Sequence, residues 1–400
     1  MKLLFLSIGD IPSINHHEIY PDLLREFKKH GDEVYIVCCK DSGSQTEVIE
    51  EQGSFLLKVC VKNIKQSNYI KKGISTILLP YLYNRAIKKY YSEIKFDLLL
   101  YSTPPITIYG LVNRLKRTTK AKTVLMLKDI WPQEMVDLGL IAKDSLIYKY
   151  FKNSEEKIYS VSDFIGYTSA ANKQYLLSYG ISDRKLIQIN NSVDKNYVSN
   201  VNDEVPSREK YGIKDSDVLF FCGGSLGKPQ DVDYIISCID TQINRDGVYF
   251  VICGKGTEYW KLEEFINREN PRNMKLFHYL PKNEYDNLIR ISDVGIVFLN
   301  HKFTVPNCPS RFYAYMEYSK PVFACTDTAT DIKDDIRDGG FGWWCESNDV
   351  QQFSKMIDSI IKEGRYKLMK RGGMARNYLE KYYTVDKDYK RIMDALLEIQ

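Results

Sequence analysis

The sequence lacks the cysteine spacing and the long apolar runs that mark several common protein classes. Its nine cysteines are an odd number without C-x-x-C spacing, which argues against a disulfide framework and a structural zinc site. No stretch approaches the roughly 20 uninterrupted apolar residues of a transmembrane helix. The opening MKLLFLSIG predicts a buried strand rather than a signal peptide. We therefore expect a cytoplasmic protein that is soluble or lies on a surface.

Several catalytic motifs are also absent. The sequence has no nucleotide-hydrolysing P-loop, no G-x-S-x-G nucleophile elbow and no G-x-G-x-x-G turn in its first unit. Its five histidines and its cysteines form no cluster with metal-ligand spacing. These absences disfavour an NTPase and a dehydrogenase, and we expect neither a metal nor a cofactor.

Positive charge is concentrated in one basic segment, residues 55–120. This segment contains thirteen Lys and Arg residues and only two acidic residues, whereas the whole chain has a net charge of +4. Bulky apolar and aromatic residues are interleaved with the cations, a combination that suits an anionic membrane surface. A solvated helix face with ordinary core residues explains the pattern equally well. Nucleic acid is not an expected partner, because no recognised binding motif accompanies the charge.

Short apolar runs alternate with amphipathic stretches along the chain. Runs such as VYIVCC (34–39) and TVLMLKD (123–129) predict buried strands, and segments such as IYPDLLREFKKHG (19–31) have helical spacing. The alternation begins again with VLFFCGG (218–224), after a polar, irregular stretch at 193–213. This order predicts parallel sheets covered by helices.

We therefore predict an α/β fold with two doubly wound, Rossmann-like domains. The first comprises residues 1–192 with a C-terminal helix at 385–400 that packs back on it, the second comprises 214–384, and 193–213 is the linker. The two sheets are expected to face each other across a cleft lined by loops and helix amino termini.

Two glycine-containing turns follow predicted strands in the second domain. In FCGGSLGKPQDVDYI (221–235), Gly224 and Gly227 allow the backbone to approach a phosphate, and Lys228 adds a point charge. ICGKGTE (252–258) repeats the pattern with Gly254 and Gly256. Ordinary tight turns between strand and helix remain the alternative.

A third junction, PSRFYAYMEYSKP (309–321), predicts an anion site. Ser310 is a candidate N-cap, and Arg311 follows in the first turn of the helix. The helix dipole disfavours a cation at that position unless an anion is present. The amides and the guanidinium together would bind a pyrophosphate.

The first domain offers two candidate acceptor elements. In KDIWPQEMVDLG (128–139), Asp129 ends a predicted strand beside Trp131, where a carboxylate suits a sugar hydroxyl; capping of the next helix is the alternative. The loop GDIPSINHH (9–17) brings two histidines that orient an acceptor or are ordinary loop residues.

In this order and spacing, the motifs resemble those of retaining GT-B glycosyltransferases of family 4. The resemblance is particularly to the bacterial branch that builds capsule and O-antigen repeats with N-acetylated amino sugars. It covers nearly the whole chain and rests on HGDEVYIV, DIWPQ, SDFIGYTSAANKQYL, INNSVD, CGGSLGKPQDVD, ICGKG, PSRFYAYMEYSKPVFA and GGFGWW.

The resemblance implies that the second domain holds a UDP-sugar donor and the first binds a polyprenyl-diphosphate-linked saccharide at the inner face of the cytoplasmic membrane. The sugar would be transferred with retention, without a metal or cofactor. Arg311, Lys228 and Asp129 are the implied catalytic residues. The implied nucleotide-sugar-binding residues are Gly224, Ser225, Gly227, Gln230, Gly254, Gly256, Leu280, Ser310, Tyr315 and Glu317. The implied acceptor-binding residues are Gly9, Asp10, His16, His17 and Trp131.

The chain departs from the family pattern at four positions. Ser225 and Gln230 match a family arginine and lysine, and Pro306 and Ala314 match two family glutamates, of which the second usually binds ribose. Because Glu317 is three residues beyond Ala314 and helical side chains lean toward the amino terminus, we predict that Glu317 contacts the ribose. A solvent-facing Glu317, or one paired with Lys320, is the alternative.

Two other functions remain open, the first because of the missing glutamates and the second because the GT-B architecture also serves another reaction. One is a non-catalytic subunit that binds a sugar nucleotide. The other is a sugar-nucleotide 2-epimerase, which is disfavoured because the donor domain holds only two histidines, His278 and His301.

Overall fold

The computed structural model describes residues 1–40, 45–61, 69–197 and 207–398, without the side chains of 69–72 and 74. The chain divides into two compact units. The first unit is Met1–Tyr197 with Tyr383–Gln400, and the second is Val198–Tyr382.

The strands within the described ranges belong to one sheet in each unit. Those of the first unit are β1 (Lys2–Leu6), β2 (Glu33–Lys40), β3 (Glu47–Glu51), β4 (Ser54–Cys60), β5 (Leu98–Ser102), β6 (Lys122–Met126), β7 (Phe164–Tyr167) and β8 (Leu186–Gln188). Those of the second unit are β9 (Val218–Gly223), β10 (Val248–Cys253), β11 (Met274–Phe277), β12 (Val294–Phe298), β13 (Val322–Thr326) and β14 (Gly342–Glu346).

The helices lie between the strands and after them. They are α1 (Ile19–Lys29), α2 (Tyr69–Tyr90), α3 (Tyr109–Thr119), α4 (Gln133–Asp137), α5 (Leu146–Val161), α6 (Ala170–Ser178), α7 (Val232–Asp240), α8 (Tyr259–Glu269), α9 (Lys282–Ile291), α10 (Ser310–Glu317), α11 (Ile332–Gly339), α12 (Val350–Tyr382) and α13 (Val385–Leu397). Gly364 interrupts α12 with non-helical backbone angles.

Both sheets have the doubly wound topology predicted from the sequence. The first runs β3-β4-β2-β1-β5-β6-β7-β8, and only its β3–β4 pair is antiparallel among the pairs described. The second runs β11-β10-β9-β12-β13-β14 with parallel pairs. Parallel strands place their carboxyl ends at one edge of the sheet, so the loops that follow them gather there.

The C-terminal helix α13 packs on the first unit, as predicted. Ile392 and Leu396 enter the core that contains Leu24 and Phe27 of α1. The ring of Tyr389 meets Phe27 edge-on at 4.9 Å between centroids. Burial of these apolar side chains is the main force that holds α13 in place.

Asp388 ties α13 to the end of β8. Its carboxylate accepts hydrogen bonds from the Asn190 N–H at 3.0 Å and the Ser192 O–H at 2.6 Å, and Arg391 lies 3.1 Å away. Burial raises the pKa of Asp388 to about 6, and the hydrogen bonds oppose the rise. A buried carboxyl group with a raised pKa takes up a proton more readily in the folded chain than in the unfolded chain.

Asp388 is therefore expected to make stability depend on pH. Its contribution is largest below the unfolded pKa and is lost as the pH rises through about 6, so from about pH 7.5 to about pH 5 the wild type should gain about 1 kcal/mol over Asp388→Asn. Urea unfolding at both pH values measures this difference. Asp394→Asn, at an exposed position of the same helix, should show no such gain. A difference that grows toward pH 7.5 would contradict the assignment.

The basic segment 55–120 is not one surface. It begins in β4, whose Lys58 is 8% exposed and donates a hydrogen bond to the Pro12 carbonyl, and it runs through the buried strand β5. Lys116 is paired with Asp163 at 2.7 Å. Residues 62–68 of the segment lie outside the described residues. Only parts of the segment are therefore available to a membrane.

The predicted linker at 193–213 is divided between the two units. Residues up to Tyr197 belong to the first unit, and the second already holds a 3-10 helix at Arg208–Tyr211. Arg208 is bound to Asp293 at 2.9 Å and to the Ile291 carbonyl at 2.6 Å. Residues 198–206 lie outside the described residues.

None of the described helices is long and apolar enough to cross a membrane.

Candidate functional site

Arg311 lies over the first glycine turn of the second unit. It occupies the first turn of α10, and its Nη2 donates a hydrogen bond to the Ser225 carbonyl at 3.2 Å. Gly224, at the carboxyl end of β9, has φ +108°, and a Cβ built there would come within 3.0 Å of Arg311 Nη2. A side chain at residue 224 would be strained and would displace the guanidinium. The conformation of the glycine turn and the position of the Arg311 guanidinium therefore depend on each other.

The guanidinium of Arg311 still has binding capacity. Its Nη1 is buried and has no hydrogen-bond partner within the described ranges. Burial raises the pKa of the neighbouring Cys222 thiol, and the Arg311 charge and a hydrogen bond with the Arg311 guanidinium partly oppose that rise. A buried N–H of a charged group without an acceptor is costly, and a bound anion would satisfy it. The geometry therefore supports the predicted anion site.

The start of α10 differs from the prediction at Ser310. The N-cap residue is Pro309, no side chain caps the helix, and Ser310 is its first, exposed residue. The predicted side-chain cap is therefore wrong. The N–H groups of Ser310 and Arg311 have no acceptor within a helix of this geometry, and they remain suited to an anionic ligand.

Gly254 and Gly256 serve the packing of the two glycine turns against each other. A Cβ on Gly254 would come within 1.8 Å of the Gly224 carbonyl oxygen, and one on Gly256 within 2.0 Å of the Leu226 carbonyl oxygen. The Gly224 N–H donates to the Cys253 carbonyl at 2.9 Å. Both glycines are therefore required by the packing of the two turns, and their contact with a ligand stays a prediction.

Two further predicted binding residues support the first glycine turn from inside. Tyr315 is fully buried, and its hydroxyl accepts the Gly223 N–H at 3.0 Å. Gln230 is 8% exposed, and its Oε1 accepts the Gly227 N–H at 3.2 Å. Both side chains therefore hold the turn, and their direct contact with a nucleotide stays a prediction.

Lys228 and Leu280 lie beside the turn. Lys228 is half-buried in a 3-10 turn after Gly227, and its carbonyl accepts the Asn300 amide at 2.9 Å. Leu280 is also half-buried, and its N–H faces the Cys253 thiol. Both positions border the carboxyl ends of β9, β10 and β11.

Glu317 is the last residue of α10, and Ala314 is half-buried one turn earlier. The Glu317 carbonyl accepts a hydrogen bond from Arg376 at 2.9 Å. Lys320 donates instead to the carbonyls of Arg290 and Ser292, at 2.7 and 2.8 Å, and burial lowers its pKa to about 8. The carbonyl contacts of Lys320 disfavour the alternative in which it pairs with Glu317. A ribose contact of Glu317 stays a prediction.

In the first unit, Asp129 follows β6 and lies near a second carboxyl group that the sequence did not single out. Glu134 of α4 is 9% exposed and accepts the Ile130 N–H at 2.7 Å. Burial, reinforced by Asp129, raises the pKa of Glu134 well above its usual value. Pro132 is the N-cap of α4, and no side chain caps this helix, so Asp129 is not its cap.

Other polar groups line the same edge of the first sheet. Tyr20 is hydrogen-bonded to Ser102 at the end of β5, and burial raises its pKa to about 12. The Lys128 ammonium donates to the Asn190 carbonyl at 3.1 Å and to Asn191 Oδ1 at 2.8 Å. Polar side chains at or after the carboxyl ends of β5, β6 and β8 therefore lie at the same edge of the first sheet.

Hydrogen bonds and ion pairs hold the loop at 9–17 in place. The Gly9 N–H donates to Ser7 Oγ at 3.0 Å, and Asp10 lies 3.9 Å from Lys58. His17, whose side chain is only 10% exposed, pairs with Asp22 at 2.9 Å and stacks on Tyr197.

The other two predicted acceptor residues lie on the same unit. His16 is paired with Glu18 at 3.3 Å, and the Trp131 ring meets Phe151 edge-on at 5.4 Å. In the described part of the chain, no group of three His, Cys, Asp or Glu side chains is arranged to hold a metal ion.

Comparison with known families gives each half of the chain a match. Residues 22–197 match the model of Glycosyltransferase Family 4, and residues 203–377 match Glycosyl transferases group 1. The protein is a two-domain glycosyltransferase. A probable glycosyltransferase of Pseudomonas aeruginosa, WbjE, is 24% identical over 321 residues, which are 80% of this chain and 78% of the relative.

Solved structures confirm the predicted GT-B fold of this glycosyltransferase. Sucrose-phosphate synthase from Thermosynechococcus elongatus superposes with a TM-score of 0.76 at 11% identity, over 100% of this chain and 98% of the other. Anabaena HepE in complex with UDP and glucose gives a TM-score of 0.67 at 13% identity over 100% of both chains.

Proposed function

We propose that this glycosyltransferase moves an N-acetylated amino sugar from a UDP-sugar to a polyprenyl-diphosphate-linked saccharide in capsule or O-antigen synthesis. The observation that carries the donor site is Arg311, whose buried Nη1 lies without a described partner above the first glycine turn. The HepE structures hold UDP or UDP-glucose, which supports a nucleotide-sugar site in the second unit.

The proposed chemistry is metal-independent transfer with retention. The bond between the sugar C1 and the β-phosphate oxygen breaks while the acceptor oxygen attaches to C1 on the same face. The departing phosphate oxygen takes the acceptor's proton, so no protein nucleophile is required. Arg311, Lys228 and the free amides of α10 stabilise the charge that develops on the diphosphate. Asp129 contacts the acceptor hydroxyl.

Each domain is assigned one of the two substrates. We assign the acceptor to residues 1–192 with the returning helix 385–400, and the donor to 214–384. The polar edge around Asp129, Lys128 and Tyr20 supports a sugar-binding role. We place the enzyme at the inner face of the cytoplasmic membrane, where cations of the basic segment would meet anionic lipid.

Release of UDP tests the proposal. The protein is incubated with a panel of UDP-sugars, with and without a lipid-linked saccharide, and we expect UDP release that depends on the acceptor. Binding of a donor without release would support instead the non-catalytic subunit, which the replacement of two family glutamates by Pro306 and Ala314 favours. An isomerised donor would indicate the epimerase, although His301 is engaged with Asp231 at 3.3 Å.

Glu317→Ala is expected to raise the donor KM about tenfold with little change in kcat, because a carboxylate bound to ribose hydroxyls contributes to ground-state and transition-state binding alike. Steady-state kinetics with the preferred UDP-sugar measures this. Glu264→Ala, at an exposed position of α8, is the matched control and should leave KM unchanged. An unaltered KM in Glu317→Ala would show that this carboxylate does not replace the one missing at residue 314.

A further inference from the structure

Two helices of the first unit expose large apolar side chains that the structure leaves uncovered. On α2, Ile77 is 50%, Leu78 51% and Tyr81 64% exposed. In the first turns of α5, Leu146 is 85%, Ile147 57% and Tyr150 43% exposed. We refer to these six side chains as the α2–α5 surface. Large uncovered apolar side chains on neighbouring elements mark an interaction site.

A short 3-10 helix at Ile106–Ile108 packs against both helices that carry the α2–α5 surface. Thr107 donates a hydrogen bond to the Thr76 carbonyl of α2 at 2.9 Å. On the other side, Lys157 of α5 lies 5.1 Å from the ring centroid of Tyr109, which follows the 3-10 helix. The α2–α5 surface is therefore carried by two helices that share this 3-10 helix as a packing partner.

The orientation of α2 is fixed by its opposite face. Leu79 and Tyr83 are buried, and the Tyr83 hydroxyl donates to the Ser7 carbonyl at the end of β1. Because residues 77, 78 and 81 lie on the other side of the helix, their exposure is a property of the packed helix. The buried contact also places α2 against the loop that follows β1.

The charges around the α2–α5 surface are almost all positive. The α2 sequence contains five Lys or Arg residues and no acid, and Arg85 and Lys88 are exposed on the turns that follow Tyr81. Near the start of α5, Lys143 and Lys149 are exposed, and Asp144 is the one acid from there to Asn153. Apolar side chains bordered by cations match a bilayer with anionic headgroups.

We propose that the α2–α5 surface docks the first unit on an anionic lipid bilayer, with the first turns of α5 entering the membrane interface beside α2. This inference rests on the proposed function and deepens it, because a lipid-linked acceptor is presented at such a membrane. The 3-10 helix follows the carboxyl end of β5, so docking would bring headgroups near the sheet edge that carries Asp129 and Tyr20. The α5 contribution lies outside the basic segment that the sequence indicated.

Co-sedimentation of the full chain with vesicles tests the proposal. We expect binding to vesicles of equal parts phosphatidylcholine and phosphatidylglycerol, and weak binding to phosphatidylcholine alone. Leu146→Ser/Ile147→Ser should lower the partition coefficient at least about tenfold, because two exposed apolar side chains no longer enter the interface. Arg85→Glu/Lys88→Glu should lower it more at low salt than at high salt. Trp260→Ser removes a side chain that is 57% exposed on α8, a helix that also exposes the acids Glu263 and Glu264, and serves as the control without effect.

Three outcomes would overturn the proposal. One is equal binding of the wild type and Leu146→Ser/Ile147→Ser to the mixed vesicles. Another is binding that does not depend on phosphatidylglycerol. The third is a wild-type dimer in sedimentation velocity that the α5 variant dissociates, which would assign the surface to a second copy. Vesicle binding is measured without any sugar, so its failure is distinguishable from a failure of sugar transfer.

Discussion

Arg311→Ala is expected to lower kcat/KM for the donor about 10²–10³-fold, the loss typical for removal of a charged donor that faces a developing anion. The guanidinium combines a contact to the Ser225 carbonyl with a buried Nη1 that has no partner in the described structure, so a bound diphosphate is its natural acceptor. Steady-state kinetics with the preferred UDP-sugar measures the loss in kcat, and calorimetric titration with UDP measures the loss in UDP affinity. Both affinity for UDP and kcat should fall.

Arg311→Lys distinguishes charge from geometry. A lysine ammonium keeps the positive charge but lacks the planar fork that reaches the turn and the ligand at once, so activity should recover only in part. Arg337→Ala removes a 70% exposed arginine of the same unit and is the control for a general change in charge. A change of less than about threefold in kcat/KM for Arg311→Ala would exclude a diphosphate contact at this residue.

The buried strands were predictable because parallel strands covered on both faces are nearly continuous apolar runs. Three strands were not predicted. β3, with the sequence EVIEE, is an edge strand with three acids, and β14 pairs two half-buried tryptophans with glycine and an acid. β4, with the sequence SFLLKVC, is an apolar run with one lysine, and it was interpreted as part of the basic segment. The polar or aromatic composition of β3 and β14 reflects their position in the sheet, which a local pattern does not carry.

Arg311 was predictable at the site because a cation in the first turn of a helix conflicts with the dipole, and this conflict is visible in the sequence. The roles of Tyr315 and Gln230 were not predictable, because whether a side chain faces a ligand or the interior depends on packing around it. Glu134 escaped notice for a related reason. Its effect on Asp129 arises from burial within a five-residue helix that turns the chain back over Ile130.

Asp129 is expected to show the second large effect. Asp129→Ala should lower kcat/KM for the acceptor about 100-fold, because a carboxylate that orients or polarises the attacking hydroxyl contributes mainly in the transition state. The donor-binding affinity should be unchanged, since the residue belongs to the first unit. Initial rates at varied acceptor concentration, combined with UDP titration, separate the two quantities. A parallel loss of UDP affinity would contradict an acceptor-side role.

The pH dependence of activity gives a second test of the role of Asp129, because Glu134 lies beside it. Burial and the Asp129 charge raise the pKa of Glu134, so its carboxyl group keeps a proton to a higher pH than an exposed glutamate, and its ionisation places a second negative charge beside Asp129. Wild-type activity should therefore fall as the pH rises through this raised pKa. Glu134→Gln mimics the neutral form, so it should keep activity within about threefold of wild type and lose that decline. Glu134→Ala also removes the acceptor of the Ile130 N–H, and it should lose activity at every pH. An unchanged decline in Glu134→Gln would show that the two carboxyl groups do not interact during the reaction.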